Sequence, residues 1–270
     1  SRSGRSGISY DDLPAHYDAD VIVNTTPVGM YPSNLESPLD LTPFEKLSGV
    51  LDIIYNPLRT ALLLQAEAFG IPCSNGLPML VAQAVRAHEC FFDTTVDDGV
   101  TESILADLTR EVTNLVLIGM PGSGKSTVAK RLAEQTGRTV LELDAAIEAA
   151  AGKSIPQIFE EDGEEGFRQI ESEQIAGAGA LSGVILSLGG GAVTRERNYL
   201  PLHQNGRIYC LERDLTQLAT DGRPLSKDLE TLEQMARERG PLYERFADVT
   251  VANNGSPDET AEAILADFNA

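Results

Sequence analysis

The octapeptide Gly119 to Ser126, GMPGSGKS, constrains this chain more than any other stretch. It fits G-x-x-x-x-G-K-S/T, a phosphate-cradling turn set between a strand and a helix. Both flanks agree. Asn114-Leu115-Val116-Leu117-Ile118 is a short apolar run that reads as a buried parallel strand. Thr127 to Glu134, TVAKRLAE, reads as a helix. In that context the backbone N–H groups of the turn and the helix N-terminus converge on phosphate oxygens. Gly122, Ser123, Gly124, Lys125, Ser126 and Thr127 are therefore the expected nucleotide-binding residues. Lys125 is placed to reach the β- and γ-phosphates, and Ser126 to help hold Mg²⁺. A chance glycine-rich turn would not carry both flanks, so ATP or GTP is the expected ligand.

Charge narrows what receives the phosphoryl group. The net charge is −20. Residues 1–110 carry 6 Lys and Arg against 15 Asp and Glu, a balance of −9, and residues 111–270 carry 15 against 26, a balance of −11. With both halves acidic, generic nucleic-acid binding is not expected. A small anionic substrate must instead be held by a few placed arginines. No apolar run is long enough for a membrane span. The opening SRSGRSGISYDD has no apolar signal core, and it lacks an initiator Met, which suggests a start inside a longer chain. Cys73, Cys90 and Cys210 are isolated, with no C-x-x-C, so neither a disulfide framework nor a zinc site is expected. They read as buried small apolar residues in a cytoplasmic protein.

The acidic, Thr-rich stretch 93–112 marks a boundary between a segment of residues 1–110 and a domain of residues 111–270, with a short spacer helix over Glu102 to Arg110. The second part alternates strands (Leu115–Ile118, Thr139–Leu143, Val184–Leu188, Arg207–Leu211, Asp248–Val251) with helices. The helices are expected at Lys125–Gln135, Ala145–Ala151, Glu164–Ala178, Thr194–Leu202, Leu229–Arg239 and Asp258–Phe268. That alternation predicts an α/β fold, an open parallel sheet with helices on both faces. The first part has strand candidates at Asp20–Val23, Val50–Ile54 and Ile71–Ser74 and helices at Thr60–Ala68 and Pro78–Cys90, too few for a whole α/β domain.

A phosphotransferase also needs metal ligands, an acceptor site and transition-state charges. Glu142 and Asp144 lie two apart at the expected end of the second strand, so both carboxylates would share one face. In DGEEGFRQIE, Asp162 to Glu171, Arg168 and Glu171 are three apart on one helical face, so Glu171 could orient Arg168. A surface pairing explains Glu171 equally well. Glu160, Glu161, Glu164 and Glu165 read as a solvated face, and His203 as a surface residue. SLGGGAV, Ser187 to Val193, puts three glycines at a strand's carboxyl end, where a ligand can approach the backbone. Arg223 falls in the loop TDGRPLS, and Arg239 just before Pro241-Leu242-Tyr243.

These residues, above all LDAAIEAAAGKSIPQIFEEDGEEGFRQIE followed by SLGGGAV, resemble shikimate kinase over residues 113–270. The resemblance implies a P-loop, nucleoside-kinase-like parallel-sheet fold and transfer of the ATP γ-phosphoryl to the shikimate 3-hydroxyl. It implies that Asp144 holds the reacting hydroxyl, and that Arg168 and Arg239 clamp the shikimate carboxylate with Gly189, Gly190 and Gly191 along the ring. Arg223 would close over the phosphates from a mobile lid, which makes Lys125, Asp144 and Arg223 the expected catalytic set. Ser126 and Glu142 would serve Mg²⁺, and Pro257 would contact adenine. Two departures stand out. The family's second strand ordinarily ends Asp-x-Asp, and here the first position is Glu142. The family's lid often carries an adenine-stacking arginine, and here none lies between Arg213 and Arg223. Alternatives are a related small-molecule kinase, such as a gluconate kinase, or a catalytically silent nucleotide-binding regulator.

The front part, with DVIVNTTPVGMYPS, DIIYNPLRT and NGLPMLVAQ, resembles the carboxyl-terminal portion of shikimate dehydrogenase over residues 18–92, a partial Rossmann-like segment. By that resemblance Asn24, Thr25 and Thr26 lie beside NADP, Tyr55 and Gln83 face shikimate, and Gly76 and Met79 lie near the nicotinamide. No G-x-G-x-x-G occurs before residue 100, and the substrate domain with its catalytic Lys and Asp is absent. NADP is thus expected only if the missing half is supplied, and no dehydrogenase activity is expected from this chain alone. The chain reads as a kinase fused to a dehydrogenase remnant, or as a fragment of a bifunctional enzyme. The truncated sheet is expected to leave an edge and apolar surface bare.

Overall fold

The computed structural model describes residues 7, 9–218 and 229–270. The chain forms two compact units, Ser1–Thr109 and Arg110–Ala270.

In the first unit β1 (Val21–Asn24), β2 (Gly49–Asp52) and β3 (Cys73–Ser74) pair in parallel in the order β1-β2-β3. Helix α1 (Ala61–Ala68) starts at Thr60, whose Oγ1 accepts the Leu63 N–H at 3.3 Å. It covers one face through Leu62, Leu63 and Ala66, which pack with Leu41 and Val50. On the other face Val21, Val23, Leu51 and Ile53 stay exposed, the period-2 partners of the buried set. Parallel strands are ordinarily covered on both faces, so the expected bare apolar surface is present. Helix α2 (Leu77–Phe92) follows, and then α3 (Asp98–Val112), longer than the expected spacer.

The second unit is a five-stranded parallel sheet in the order β5-β6-β4-β7-β8, built from β4 (Asn114–Ile118), β5 (Val140–Glu142), β6 (Ile185–Ser187), β7 (Gly206–Glu212) and β8 (Val249–Ala252). Every residue of β4 is buried, as its apolar run implies. Val116 and Ile118 face one core with Leu143, Ile147, Ile158 and Phe246. Leu115 and Leu117 face the other with Val128, Leu132 and Ile264. Each such buried side chain contributes about 1.5–3 kcal/mol. The central strand therefore feeds the phosphate turn into the middle of the sheet's carboxyl edge, where open α/β sheets bind ligands.

The helices are α4 (Lys125–Thr136), α5 (Leu143–Ala151), α6 (Ile155–Gly179), α7 (Tyr199–Asn205), α8 (Leu229–Phe246) and α9 (Pro257–Phe268). Several differ from expectation for identifiable reasons. The α5 helix begins two residues early, so Asp144 sits in its first turn and not on the strand beside Glu142. The α6 helix starts at a Ser154–Gln157 capping box and carries a non-helical Gly163 (φ 71°), so the expected start at Glu164 is only its second segment. The stretch expected as one helix from Thr194 is two 3-10 turns (Ala192–Thr194, Glu196–Asn198) followed by α7. There the buried Asn198 side chain donates to the Ala192 carbonyl at 2.7 Å and bends the chain back. The α8 helix runs through Pro241 to Phe246; Gly240 offers the proline ring no Cβ to clash with. His203 is 4% exposed and stacks on Tyr199 at 3.8 Å, so it is a core residue and not a surface one. Cys210 is buried and Cys73 half-buried, but Cys90 is exposed, which corrects the expectation for that residue. Among the described residues no helix is long and apolar enough to cross a membrane.

Candidate active site

A cavity of about 390 Å³ opens at the carboxyl ends of β4, β5, β6 and β7. It brings together Gly122, Gly124, Lys125, Ser126 and Thr127 of the phosphate turn with Glu142, Asp144, Arg168, Gly189, Gly190, Gly191 and Arg239. These residues come from the strand ends, α5, α6, the loop after β6, and α8. Arg223 lies outside the described residues.

The phosphate turn depends on glycine where its backbone is left-handed: Gly119 has φ 139° and Gly124 φ 95°. A Cβ on Gly119 would also stand 2.5 Å from the Leu211 carbonyl oxygen. Lys125 is buried, and its Nζ donates to the Gly119 and Met120 carbonyls at 2.8 and 3.0 Å. Ser123 is not among the residues lining the cavity. Its Oγ is buried without a hydrogen-bond partner, and its carbonyl accepts the Asn253 Nδ2 at 2.6 Å, so it shapes the loop. Pro257 is the first residue of α9 and is not among the residues lining the cavity.

Ser126 Oγ donates to Glu142 Oε2 at 2.9 Å and lies 3.4 Å from Ser187 Oγ. Glu142 Oε1 is buried with no hydrogen-bond partner. A buried carboxylate oxygen left open beside a serine hydroxyl suits a hard cation, which takes oxygen ligands. Among the described residues no group of three or more His, Cys, Asp and Glu could form a protein-only metal cage. Such a cation would then depend on phosphate oxygens for the rest of its shell.

Elsewhere on the cavity wall Arg168 is 4% exposed, with Nη1 donating to Glu171 Oε2 at 2.7 Å and Nη2 lying 3.4 Å from Glu164 Oε1. Glu171 itself is fully buried, so of the two readings open for it the orienting one fits and the surface pairing does not. Arg239 Nη1 and the Tyr243 hydroxyl both donate to the Gly190 carbonyl, at 3.1 and 2.5 Å. The glycines of the run let their neighbours approach closely. A Cβ on Gly191 would stand 2.2 Å from Arg168 Nη2, and one on Gly190 2.7 Å from Pro121 Cδ. One on Gly189 would meet Glu171 Oε1 at 3.1 Å and Asp144 Oδ1 at 3.3 Å. Asp144, although it starts a helix, thus opens onto the same space as Glu142. Lining residues that went unforeseen as site residues include Phe159 and Phe167, whose rings stack at 4.7 Å, with Ser187, Arg213 and Met235. Phe167 adjoins Arg168 in sequence, and the arginine lies over its ring at 5.1 Å, a pairing its position alone could have flagged.

Burial sets the titration of this wall. Desolvation raises the Glu171 pKa above its ordinary value, although Arg168 pulls the other way. Burial also pushes the Cys210 thiol up to about 11, leaving it unreactive at neutral pH. A carboxyl group whose native pKa is raised binds more protons in the folded state. Its stabilising contribution is complete below the unfolded pKa and is lost as pH rises through the native one. Each pH unit in that window costs at most about 1.4 kcal/mol. Glu171→Gln is therefore expected to flatten the fall in melting temperature as pH rises above about 4.5, by roughly 2–4 °C per pH unit. Thermal melts of both proteins across pH 4–8 check this, and parallel curves would rule it out.

In the first unit the Asn24 side chain is used inward. Its Nδ2 donates to Asp52 Oδ1 at 3.0 Å, and its Oδ1 accepts from the Thr26 N–H and hydroxyl at 3.0 and 2.7 Å. Thr60 Oγ1 donates to Asp52 Oδ2 at 2.7 Å and completes a buried network. Gly76 packs against β2 so tightly that a Cβ would stand 1.9 Å from the Ile53 carbonyl oxygen. Thr25, Tyr55, Met79 and Gln83 are exposed.

The shikimate kinase family model matches residues 121–269. The shikimate kinase of Pseudomonas putida is 41% identical over 152 residues, a match covering 53% of this chain and 88% of that protein. That of Thermobifida fusca is 40% identical over 163 residues, covering 57% of this chain and 94% of the relative. Among solved structures, the shikimate kinase from Acinetobacter baumannii in complex with shikimate superposes with a TM-score of 0.56 at 33% identity, covering 59% of this chain and 94% of that one. With Pro121 to Ser126 of the phosphate turn, the paired arginines and the glycine run inside the matched segment, the chain belongs to the shikimate kinase family.

Proposed function

We propose that the chain transfers the γ-phosphoryl group of ATP to the 3-hydroxyl of shikimate, giving shikimate 3-phosphate and ADP. One observation carries the reading: a single cavity joins a phosphate turn to two arginines, a carboxylate and a glycine run suited to a small anionic polyol. The turn's N–H groups and Lys125 hold the β- and γ-phosphates. Arg168 and Arg239 present planar forks to the substrate carboxylate. Their placement by Glu171 and by the Gly190 carbonyl fixes the acceptor ring against the glycine backbone. Asp144 accepts the hydroxyl proton as the oxygen forms its bond to the γ-phosphorus. The bond to the bridging oxygen then breaks, and ADP leaves with the electron pair. Ser126 and Glu142 would hold Mg²⁺, which supplies positive charge to the phosphate oxygens when bound. Arg223 adds transition-state charge in this reading, and Pro257 borders the adenine.

Residues 1–110 form a dehydrogenase-derived segment in the same proposal, and residues 111–270 the kinase domain. Asn24, Thr25, Thr26, Tyr55, Gly76, Met79 and Gln83 would serve NADP and shikimate only beside the missing half. The proposal carries a cytoplasmic enzyme whose partner is a small molecule.

The test is ADP release by the full chain from ATP and Mg²⁺, with and without shikimate. Release that requires shikimate is the expected result. A folded, ADP-binding protein with no shikimate-dependent release would overturn the acceptor assignment and favour a silent nucleotide-binding regulator.

A further inference from the structure

Arg213 follows β7 directly and lines the cavity beside the phosphate turn. Its backbone is pinned on both sides. The Glu212 carbonyl accepts the Asn253 N–H at 2.7 Å, and the Asp214 N–H donates to Asn254 Oδ1 at 2.9 Å. Its guanidinium reaches over the start of α4: Nη1 stands 3.7 Å from where a Cβ on Gly124 would lie. Nε is buried with no hydrogen-bond partner, and no carboxylate pairs with this arginine among the described residues.

That arrangement is unfavourable as it stands. The N-terminus of a helix carries partial positive charge, and a cation held over it is repelled. A guanidinium is also a strong donor group, and a buried N–H without an acceptor is costly. It stands beside the N-terminus of α4 and shares the cavity wall with Lys125. One kind of ligand relieves every part of this at once: an anion lying between the turn and the guanidinium. We infer that Arg213 is a nucleotide-binding residue that contacts the polyphosphate of ATP and ADP from the β7 side, opposite Lys125. The inference deepens the kinase reading and rests on it for the identity of the nucleotide.

The rigid backbone gives this contact a specific signature. The backbone that carries the arginine is held in place before the nucleotide arrives, so its loss shows in nucleotide affinity and not in the acceptor site. Calorimetric titration of the full chain with ADP and, separately, with inorganic tripolyphosphate tests it. Arg213→Ala is expected to weaken both ligands by a similar factor, about tenfold to a hundredfold at low salt. Arg213→Lys should recover part of the loss, because the charge remains but the planar fork does not. The melting temperature without ligand should not fall, since the substitution removes an unfavourable charge, and the KM for shikimate should stay unchanged. Unchanged ADP affinity in Arg213→Ala would overturn the inference. So would weaker ADP binding with tripolyphosphate unaffected, which would assign the residue to the base or ribose. If the wild-type chain binds ADP but does not phosphorylate shikimate, the acceptor assignment fails while the ADP titration still decides Arg213.

Discussion

Lys125→Ala lowers turnover by about 10²–10³-fold or more, because it removes a positioned cation from the charge that develops during phosphoryl transfer. The side chain is buried at the mouth of the turn, held by the Gly119 and Met120 carbonyls. It is therefore presented in one place and pays little ordering entropy when phosphate arrives. Alanine suits the first turn of α4 as well as lysine does, and the core beneath is made by Val128, Ala129 and Leu132. The variant should keep its fold and still bind ADP through backbone N–H groups, though more weakly. A steady-state assay of ADP release, beside circular dichroism of both proteins, measures this. Turnover within a factor of about three of wild type would remove Lys125 from the chemistry.

Asp144→Asn should fall in the same range, about 10²–10⁴-fold in kcat, for a different reason. Asparagine keeps the size and hydrogen-bonding shape of the side chain but cannot take the hydroxyl proton. Asp144 lies beside Gly189, close to Glu171, and opens onto the cavity from the first turn of α5. Removing its charge there costs the helix only about 0.3–1 kcal/mol of dipole interaction, so folding should survive. ADP affinity should not move, because the phosphate turn is untouched. The two variants thus separate: Lys125→Ala damages nucleotide binding and chemistry, Asp144→Asn chemistry alone. A wild-type kcat in Asp144→Asn would return the residue to a plain helix-capping role.

Much of this was written locally. A G-x-x-x-x-G-K-S turn between an apolar pentapeptide and a helical octapeptide is short-range information, and β4 and α4 follow from it. Strand positions were legible because buried parallel strands are continuous apolar runs. Their ends were less so, since the last residue of a strand is set by what comes next. Asp144 shows the consequence: two-residue spacing placed it on a strand, while Leu143 packing into the core beneath the sheet drew the chain into a helix two residues sooner. His203 misled because a lone histidine carries no periodic signal. Only its stack on Tyr199 and the nearby Phe246 show it to be core.

By itself the sequence determined the element order, the phosphate turn, the parallel sheet, the family, and the residue types available for an anionic acceptor. Those are consequences of patterns a few residues long. The tertiary structure decided which of those residues meet. Arg168 and Arg239 are 71 residues apart in the chain, with the Gly189–Gly191 run between them, and only the strand order β5-β6-β4-β7-β8 brings them to one edge. It also decided that Glu171 is buried and not a surface pair, that the Ser123 hydroxyl is buried, and that Arg213 faces the phosphate turn. The physical reason is common to all three. Burial and electrostatic environment are properties of neighbours distant in sequence, and no local spacing encodes which side chains a folded sheet will set side by side.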